Sequence, residues 1–219
     1  MNTPRAQWVN TTHDWSSAVD TDHLAHIRQN PAKFAPDGPW HLVLEVLGYA
    51  ADEASGSGGG RCVLVLHADG SLSVRDDGRG TDTRVDERGR SVKKPVMATK
   101  DLRFFDSPQA EVLPDGHPRR GMSVVAALSD WLVHTNRRLN GAWTQRYELG
   151  VPVTGLEPIE VDGTTGTLVH FKPSAPVGPL TTPTLTGPTL TGPTPDDLTH
   201  LAATWPQLEV QLDDRRGPH

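Results

Sequence analysis

The sequence predicts an α/β fold, because segments with strand-like alternation and segments with helix-like apolar spacing follow one another along the chain. Leu72 and Val74 alternate with polar residues in a predicted strand that ends at Asp76. A long apolar segment begins at Pro39, and its apolar residues recur at the spacing of a buried helix. A second apolar segment follows Gly121 and also predicts a helix.

The first helix is predicted over residues 37–54. Glu45, Tyr49 and Asp52 are spaced i, i+4 and i+7, so their side chains share one stripe of this helix. Two acidic residues on an otherwise apolar helix are costly unless they have partners or a function. The glycine- and serine-rich residues 55–60 are predicted to be a flexible connector to the next strand.

The strand at residues 71–76 leads into Asp76-Asp77-Gly78-Arg79-Gly80. The two glycines of this turn leave space where side chains would block a ligand. A carboxylate at the end of a strand can accept hydrogen bonds from the amino group of a base. Asp-Gly pairs also mark ordinary turns, so the motif by itself is compatible with either interpretation.

The later segments continue the alternation of helix and strand. They are, in chain order, a helix opened by residues 121–131, a strand ending at residues 137–138, a hairpin turn at residues 140–141, a strand from residue 143 and a strand entered through residues 163–167. A glycine at the start of a helix is a natural position for phosphate oxygens. The repeat of proline, threonine and glycine at residues 178–195 predicts an exposed, extended linker.

The chain has 219 residues and a formal net charge of −6, which fits one domain without a generally basic surface. We therefore expect no direct DNA binding. The single cysteine, Cys62, lies in a predicted strand, so we expect a buried side chain and no internal disulfide. The histidine spacing predicts no metal site. We find no signal peptide and no apolar run of membrane-spanning length, and expect a cytoplasmic protein.

The ordered set of motifs resembles the ATP-binding domain of the DNA gyrase B subunit, within the GHKL superfamily. The resemblance runs from about Leu24 to Asp214. It implies an α+β two-layer sandwich, in which a mixed, mainly antiparallel sheet is covered on one face by helices and ATP binds between the layers. The predicted organisation is an N-terminal arm at 1–21, a nucleotide-binding domain at 22–214 with a lid at about 82–120, and a tail at 215–219.

The resemblance also implies roles for individual residues. Glu45 matches the general base that acts on the water attacking the γ-phosphate. Asp76 matches the aspartate that accepts the adenine N6 amino group, and Thr167 matches the threonine that shares this contact through water. The other matches line the same pocket: Asp52, Gly80 and Thr81 on its floor, Arg79 paired with Glu53 at one edge, Gly116 and Gly121 at the ends of the phosphate loop, and Arg138 at the mouth.

Two departures from the family pattern affect the phosphate half of the pocket. Tyr49 falls where the family has its magnesium-binding asparagine, and a phenol is a poor ligand for Mg²⁺. The phosphate loop at residues 116–121 keeps only its end glycines. Arg119 and Arg120 either add bulk there or bind phosphate with their own side chains. We therefore expect ATP binding with weak or absent hydrolysis, and the need for Mg²⁺ stays open.

Three functions are compatible with these residues. The first is a stand-alone gyrase B-like ATP-binding module without DNA-cleavage domains, which assembles with a protein partner or as a homodimer through the arm at residues 1–21. The second is a slow Mg²⁺-dependent ATPase with Glu45 as general base, in which Arg119, Arg120 or another carboxylate compensates for the missing asparagine. The third is a decoy that binds an aminocoumarin-type ligand through Asp76 and Arg138.

Overall fold

The computed structural model describes most of the chain. The described residues are 19–81, 84–85, 91–92, 96–139, 141–178, 182–184, 187–189, 193 and 195–216. The predictions on the N-terminal arm before residue 19, on Asn140, on the end of the tail and on several residues of the lid lie outside these ranges.

The described ranges contain five α-helices, one short 3-10 helix (Ala175–Val177) and twelve strands. The helices are α1 (Thr21–Gln29), α2 (Pro31–Phe34), α3 (Pro39–Ser57), α4 (Met122–Ala127) and α5 (Pro195–Thr204). The strands are β1 (Gly60–Leu66), β2 (Leu72–Asp76), β3 (Arg84–Val85), β4 (Ser91–Val92), β5 (Ser129–Arg138), β6 (Gly141–Glu148), β7 (Val151–Pro152), β8 (Glu157–Pro158), β9 (Gly166–Pro173), β10 (Thr182–Thr184), β11 (Gly187–Thr189) and β12 (Leu208–Asp214). None of the helices in these ranges has the length and apolar character needed to cross a membrane.

An eight-stranded sheet forms one layer of the molecule. Its strand order is β12-β1-β2-β9-β5-β6-β7, and β8 pairs with β6. The pair β1 and β12 is parallel, whereas the other neighbours are antiparallel. Because β9 lies between β2 and β5, the end of β2, the start of β9 and the end of β5 meet at one edge of the sheet. The predicted site residues of these three strands are thereby brought together.

Helix α3 is the central helix of the second layer. It begins at Pro39, and Gly58 ends it in a left-handed conformation with φ of 83°, donating its N–H to the carbonyl oxygen of Ala54. Twelve of its 19 residues are buried, so the helix is covered on more than the one stripe that faces the sheet. The predicted connector at residues 55–60 is therefore wrong in part, because the helix continues to Ser57 and β1 begins at Gly60.

The hydrophobic core lies between the helices and one face of the sheet. Alternate residues of the central strands belong to it, among them Leu64, Val74 and Phe171. Burying an aliphatic or aromatic side chain of this kind stabilises the fold by about 1.5–3 kcal/mol. Cys62 is fully buried in the same core, as predicted, and burial raises the pKa of its thiol. The predicted α+β fold with a mixed, mainly antiparallel sheet is confirmed.

Helix α4 is shorter than the helix predicted to open over residues 121–131. It ends at Ala127, and β5 begins at Ser129. The reason is tertiary, because the chain from Ser129 onward pairs with β9 and the carbonyl oxygen of Leu128 accepts hydrogen bonds from the N–H and hydroxyl of Ser174. The apolar run continues across this boundary, so apolar spacing alone does not locate it.

The predicted linker at residues 178–195 contains a small sheet of its own. Strand β10 pairs with β11 in antiparallel orientation, with Thr182 opposite Thr189. Each strand contains one proline, and Pro183 lies opposite Pro188. This two-stranded sheet is separate from the eight-stranded sheet, as expected for strands whose prolines cannot donate to a ladder.

Candidate functional site

The carboxylate of Asp76 lies at the end of β2, beside the start of β9. Its Oδ1 accepts hydrogen bonds from the N–H of Gly78 at 2.9 Å and from the N–H of Thr167 at 3.2 Å, and its Oδ2 accepts one from the Thr167 hydroxyl. Burial raises the pKa of Asp76, although these hydrogen bonds oppose the shift. An ionised carboxylate accepts about four hydrogen bonds. The three bonds described here therefore leave acceptor capacity on Oδ2 for a ligand.

The glycine turn after β2 is held against the end of β5. Gly80 has φ of 76°, and a Cβ at this position would lie 2.4 Å from the carbonyl oxygen of Arg137. Asn136 is fully buried, accepts a hydrogen bond from the N–H of Thr81 at 2.5 Å and donates to its carbonyl oxygen at 3.1 Å. Arg138 donates to the carbonyl oxygen of Gly80 at 3.0 Å. The turn is thus fastened to β5 by Arg138 and by Asn136, a residue that the sequence analysis did not identify.

Glu53 and Arg79 form an ion pair at the edge of a cleft of about 190 Å³. Arg79 Nε lies 2.5 Å from Glu53 Oε1, and Nη2 lies 3.1 Å from Oε2. The guanidinium lowers the pKa of Glu53. Because Arg79 is largely exposed, the pair contributes more to the shape of the rim than to stability. The cleft is also lined by Ala50, Asp76 and Gly78. The other residues predicted for the pocket are not among those that line this cleft, namely Asp52, Gly80, Thr81, Arg138 and Thr167.

Glu45 is fully buried on α3 and is held by the backbone that precedes α4. Its Oε1 accepts a hydrogen bond from the N–H of Arg120 at 2.5 Å, and its Oε2 accepts one from the N–H of Gly121 at 2.8 Å. Gly121 has φ of 100°, a conformation that favours glycine. Two predicted site residues, Glu45 and Gly121, are therefore in direct contact, and the carboxylate is bound by protein amides.

The other predicted loop glycine, Gly116, lies in an exposed turn. Its N–H donates to the carbonyl oxygen of Leu113 at 2.8 Å, and φ is 82°. A Cβ at this position would meet nothing within 4 Å. The conformation of the turn, rather than close approach of another group, accounts for glycine here. Its role in phosphate binding stays a prediction.

His41 lies one turn before Glu45 and was missed by the sequence analysis. Its Nδ1 is 2.5 Å from Asp115 Oδ2, and its Nε2 is 3.6 Å from Glu45 Oε1. Burial alone would lower the pKa of His41, but the hydrogen bond to Asp115 and the neighbouring carboxylate of Glu45 outweigh it and raise the pKa to about 9. The spacing of His41 and Glu45 is visible in the sequence, whereas Asp115 is 74 positions away.

We expect the protein to lose stability as the pH rises from about 6.5 to about 9. A histidine whose pKa is higher in the folded state stabilises that state fully below the unfolded pKa, and the stabilisation is lost as the pH rises through the folded pKa. For His41 this contribution to the free energy of unfolding is about 3 kcal/mol. Urea denaturation across this pH range measures it. The His41→Gln variant should lack the dependence, and an unchanged slope in that variant would contradict the assignment.

Tyr49, Asp52 and Arg119 belong to one network on the same side of α3. The Tyr49 hydroxyl donates to Asp101 Oδ2 at 2.6 Å, and burial together with the Asp101 charge raises the pKa of Tyr49. Arg119 is fully buried and donates to Asp52 Oδ2 at 2.9 Å and to Glu111 Oε2 at 2.7 Å. Its guanidinium lies 4.6 Å from the centre of the Tyr49 ring. The predicted site residue Asp52 is therefore engaged in an ion pair.

The Tyr49 phenol does not fit a magnesium ligand in this arrangement. Its hydroxyl donates a hydrogen bond to Asp101, whereas Mg²⁺ requires small oxygen ligands in a near-octahedral array. Over the described ranges, no group of three or more histidine, cysteine, aspartate or glutamate side chains is placed to hold a metal ion.

The fold and the site together define a class of protein. Helices cover one face of a mainly antiparallel sheet, and beside the central helix an aspartate at a strand end accepts hydrogen bonds from a threonine on the neighbouring strand. This arrangement is that of a GHKL-type ATP-binding domain.

Comparison with known proteins agrees with this class, although no family model matches the chain. The chain is 36% identical over 204 residues to the DNA gyrase B subunit of Thermotoga maritima. The aligned stretch covers 88% of this chain and 30% of the relative. It is 33% identical over 164 residues to the DNA topoisomerase 4 B subunit of Bacillus subtilis, covering 73% of this chain and 25% of the relative. It is 35% identical over 161 residues to the DNA gyrase B subunit of Archaeoglobus fulgidus, covering 69% of this chain and 25% of the relative.

The chain belongs to the GHKL superfamily and, within it, to the group formed by the N-terminal ATPase regions of the gyrase and topoisomerase IV B subunits. It spans between a quarter and a third of the length of these relatives. The resemblance predicted from the ordered motifs is confirmed. The roles of the individual site residues stay predictions.

Proposed function

We propose that this chain is a cytoplasmic, gyrase B-like adenine-nucleotide-binding module with weak or absent ATP hydrolysis. Residues 22–214 form the nucleotide-binding domain, and the arm at residues 1–21 binds a protein partner or a second copy of the chain. The observation that carries the proposal is the Asp76 carboxylate, which Thr167 and Gly78 orient at the edge of a cleft and which keeps acceptor capacity. The similarity to gyrase B proteins supports ATP as the nucleotide.

The chemistry of Asp76 favours adenine over guanine. The N6 amino group of adenine donates a hydrogen bond, which the carboxylate accepts. Guanine has a carbonyl oxygen at the equivalent position, so two acceptors would face each other without a hydrogen atom between them. The turn at Gly80 and Thr81 and the ion pair of Glu53 with Arg79 form the surroundings of the bound base.

Weak hydrolysis follows from the contacts of the groups that would act on a triphosphate. A general base must reach the water whose proton it accepts, and both oxygens of Glu45 accept hydrogen bonds from backbone amides. Metal placement carries much of phosphoryl-transfer catalysis, and we propose that Tyr49 replaces the metal-binding asparagine of the family. The alternative of a slow ATPase requires water to reach Glu45, which has no exposed surface. It also requires a cation that acts in place of the metal ion, and because Arg119 is paired with Asp52 this role would fall to Arg120.

A second candidate is a decoy that binds an aminocoumarin-type ligand with negligible affinity for ATP. The observation that favours it is the difference between the two halves of the site. Asp76 lines the cleft and Arg138 donates to the carbonyl oxygen of Gly80, while Glu45 and Arg119 are engaged with other protein groups.

Titration of the chain with ATP and ADP, with and without Mg²⁺, tests the proposal together with a measurement of phosphate release. We expect binding of both nucleotides and phosphate release no faster than that of a Glu45→Ala variant. Mg²⁺-dependent release that disappears in Glu45→Ala would establish the slow ATPase instead. Tight binding of an aminocoumarin without binding of either nucleotide would establish the decoy.

A further inference from the structure

The loop that precedes α4 is fastened to α3 by three groups of contacts, at positions 41, 45 and 52 of the helix. His41 contacts Asp115, Glu45 binds the backbone of the loop, and Asp52 pairs with Arg119. All three attachments join ionisable side chains of the helix to the segment of the chain predicted to bind phosphate. Whether a ligand can bind to this loop depends on which of the loop's hydrogen-bond donors these contacts already use.

Glu45 occupies the backbone amides. Consecutive N–H groups that point in one direction form a site for an anion, such as a phosphate oxygen. Here the amides of Arg120 and Gly121 bind the two oxygens of one carboxylate, at 2.5 and 2.8 Å. Glu45 has no exposed surface, so a phosphate would have to displace a buried, hydrogen-bonded carboxylate to reach these amides.

Arg119 is the second group that could bind phosphate, and it is also engaged. Its guanidinium donates to Asp52 and Glu111, and it lies between aromatic rings, 4.6 Å from the Tyr49 centroid and 4.0 Å from the Phe104 centroid. The side chain has no exposed surface. An arginine held in this way is unable to turn toward a ligand without breaking two ion pairs.

The charge of the network also opposes a polyphosphate. It contains five carboxylates, which are Glu45, Asp52, Asp101, Glu111 and Asp115. Three cationic groups pair with them, which are His41, Arg103 and Arg119, and Arg120 of the same loop adds a fourth positive charge nearby. The excess of negative charge lies on the side of α3 where the phosphate loop packs, and like charges in a buried setting repel strongly. Asp76 and Thr167, in contrast, bind a neutral base.

We infer that the phosphates of an adenine ligand add little to its affinity for this chain, because Glu45 occupies the phosphate-binding amides. The inference rests on the proposed function, because it assumes that the base binds at Asp76. It differs from the general property of an ATP-binding domain, for which added phosphates add affinity. Glu45 is, on this assignment, a specificity-determining residue.

Calorimetric titration of the 219-residue chain with adenosine, AMP, ADP and ATP tests the inference. We expect the dissociation constants of ATP and adenosine to agree within about threefold. Removing the carboxylate in Glu45→Ala should free both amides and lower the dissociation constant of ATP relative to that of adenosine by about tenfold. Glu45→Gln, which keeps the size of the side chain, should shift the ratio in the same direction.

The matched control is Glu111→Gln, which removes one charge from the same network and leaves the two amides bound by Glu45. Its ratio of ATP to adenosine affinity should change by less than about threefold. Circular dichroism establishes that each variant is folded. Wild-type binding of ATP more than about threefold tighter than that of adenosine overturns the inference and leaves the proposed function intact. Binding of none of the four ligands overturns both, and an equal shift in Glu45→Ala and Glu111→Gln overturns the role of amide occupancy, because charge would then set the selectivity.

Discussion

Replacing Asp76 by alanine is expected to weaken the binding of adenosine by roughly 30- to 150-fold, or about 2–3 kcal/mol. The carboxylate is the acceptor for the adenine amino group in the proposed site, and a hydrogen bond to a charged group in a partly buried position is stronger than one between neutral groups. Alanine also removes the acceptor that orients Thr167 and Gly78. Isothermal titration calorimetry measures the loss.

Asp77→Ala is the matched control, because this carboxylate is adjacent but accepts its hydrogen bond from the N–H of Arg61 at 2.8 Å. It should change the affinity for adenosine by less than about threefold. Asp76→Asn provides a second comparison, since an amide presents a donor as well as an acceptor and should improve the binding of guanosine relative to adenosine. Equal losses at both aspartates, or no change in base preference in Asp76→Asn, would rule out Asp76 as the residue that reads the base.

The elements of the fold that lie under the site are predictable from local patterns. The alternation around Val74 predicts β2, and the apolar spacing after Pro39 predicts α3. Two boundaries are not predictable in this way. The chain after Leu128 becomes a strand because β9 lies beside it, and the helix passes residue 55 because Gly58 is the first position that ends it. The first boundary depends on tertiary context, and the second depends on which of several possible residues caps the helix.

In the candidate site, too, some contacts are predictable from the sequence and others are not. The pairing of Glu53 with Arg79 is expected from the resemblance and is present. The resemblance implies that Thr167 shares the adenine contact of Asp76 through water, and in the structure Thr167 donates directly to Asp76. Asn136 was not identified, because its partner is 55 positions away and a single buried asparagine in a strand has no local signature. The pairing of Arg119 with Asp52 was not expected either. A sequence shows which charges exist, but long-range packing decides which of them are neutralised.

The close approach of β2 and β9 leads to the largest expected effect on stability. Gly166 has φ of 117°, and a Cβ at this position would lie 2.1 Å from the carbonyl oxygen of Asp76 and 2.9 Å from its carbonyl carbon. These are backbone atoms of a strand that is paired on both sides, by β1 and β9, so they are unable to move away freely. Gly166→Ala should destabilise the fold by about 3 kcal/mol or more, the sum of backbone strain and steric overlap.

Urea denaturation measures this effect, and Gly163→Ala separates its two causes. Gly163 also has a positive φ, of 79°, but a Cβ there would meet nothing within 4 Å, so only the conformational cost of about 1 kcal/mol applies. If the two variants lost the same stability, steric overlap between a residue at position 166 and the Asp76 backbone would not be a cause of the loss. Because the same contact sets the position of Asp76 against Thr167, any Gly166→Ala protein that folds should also bind adenosine more weakly, whereas Gly163→Ala should bind it as the wild type does.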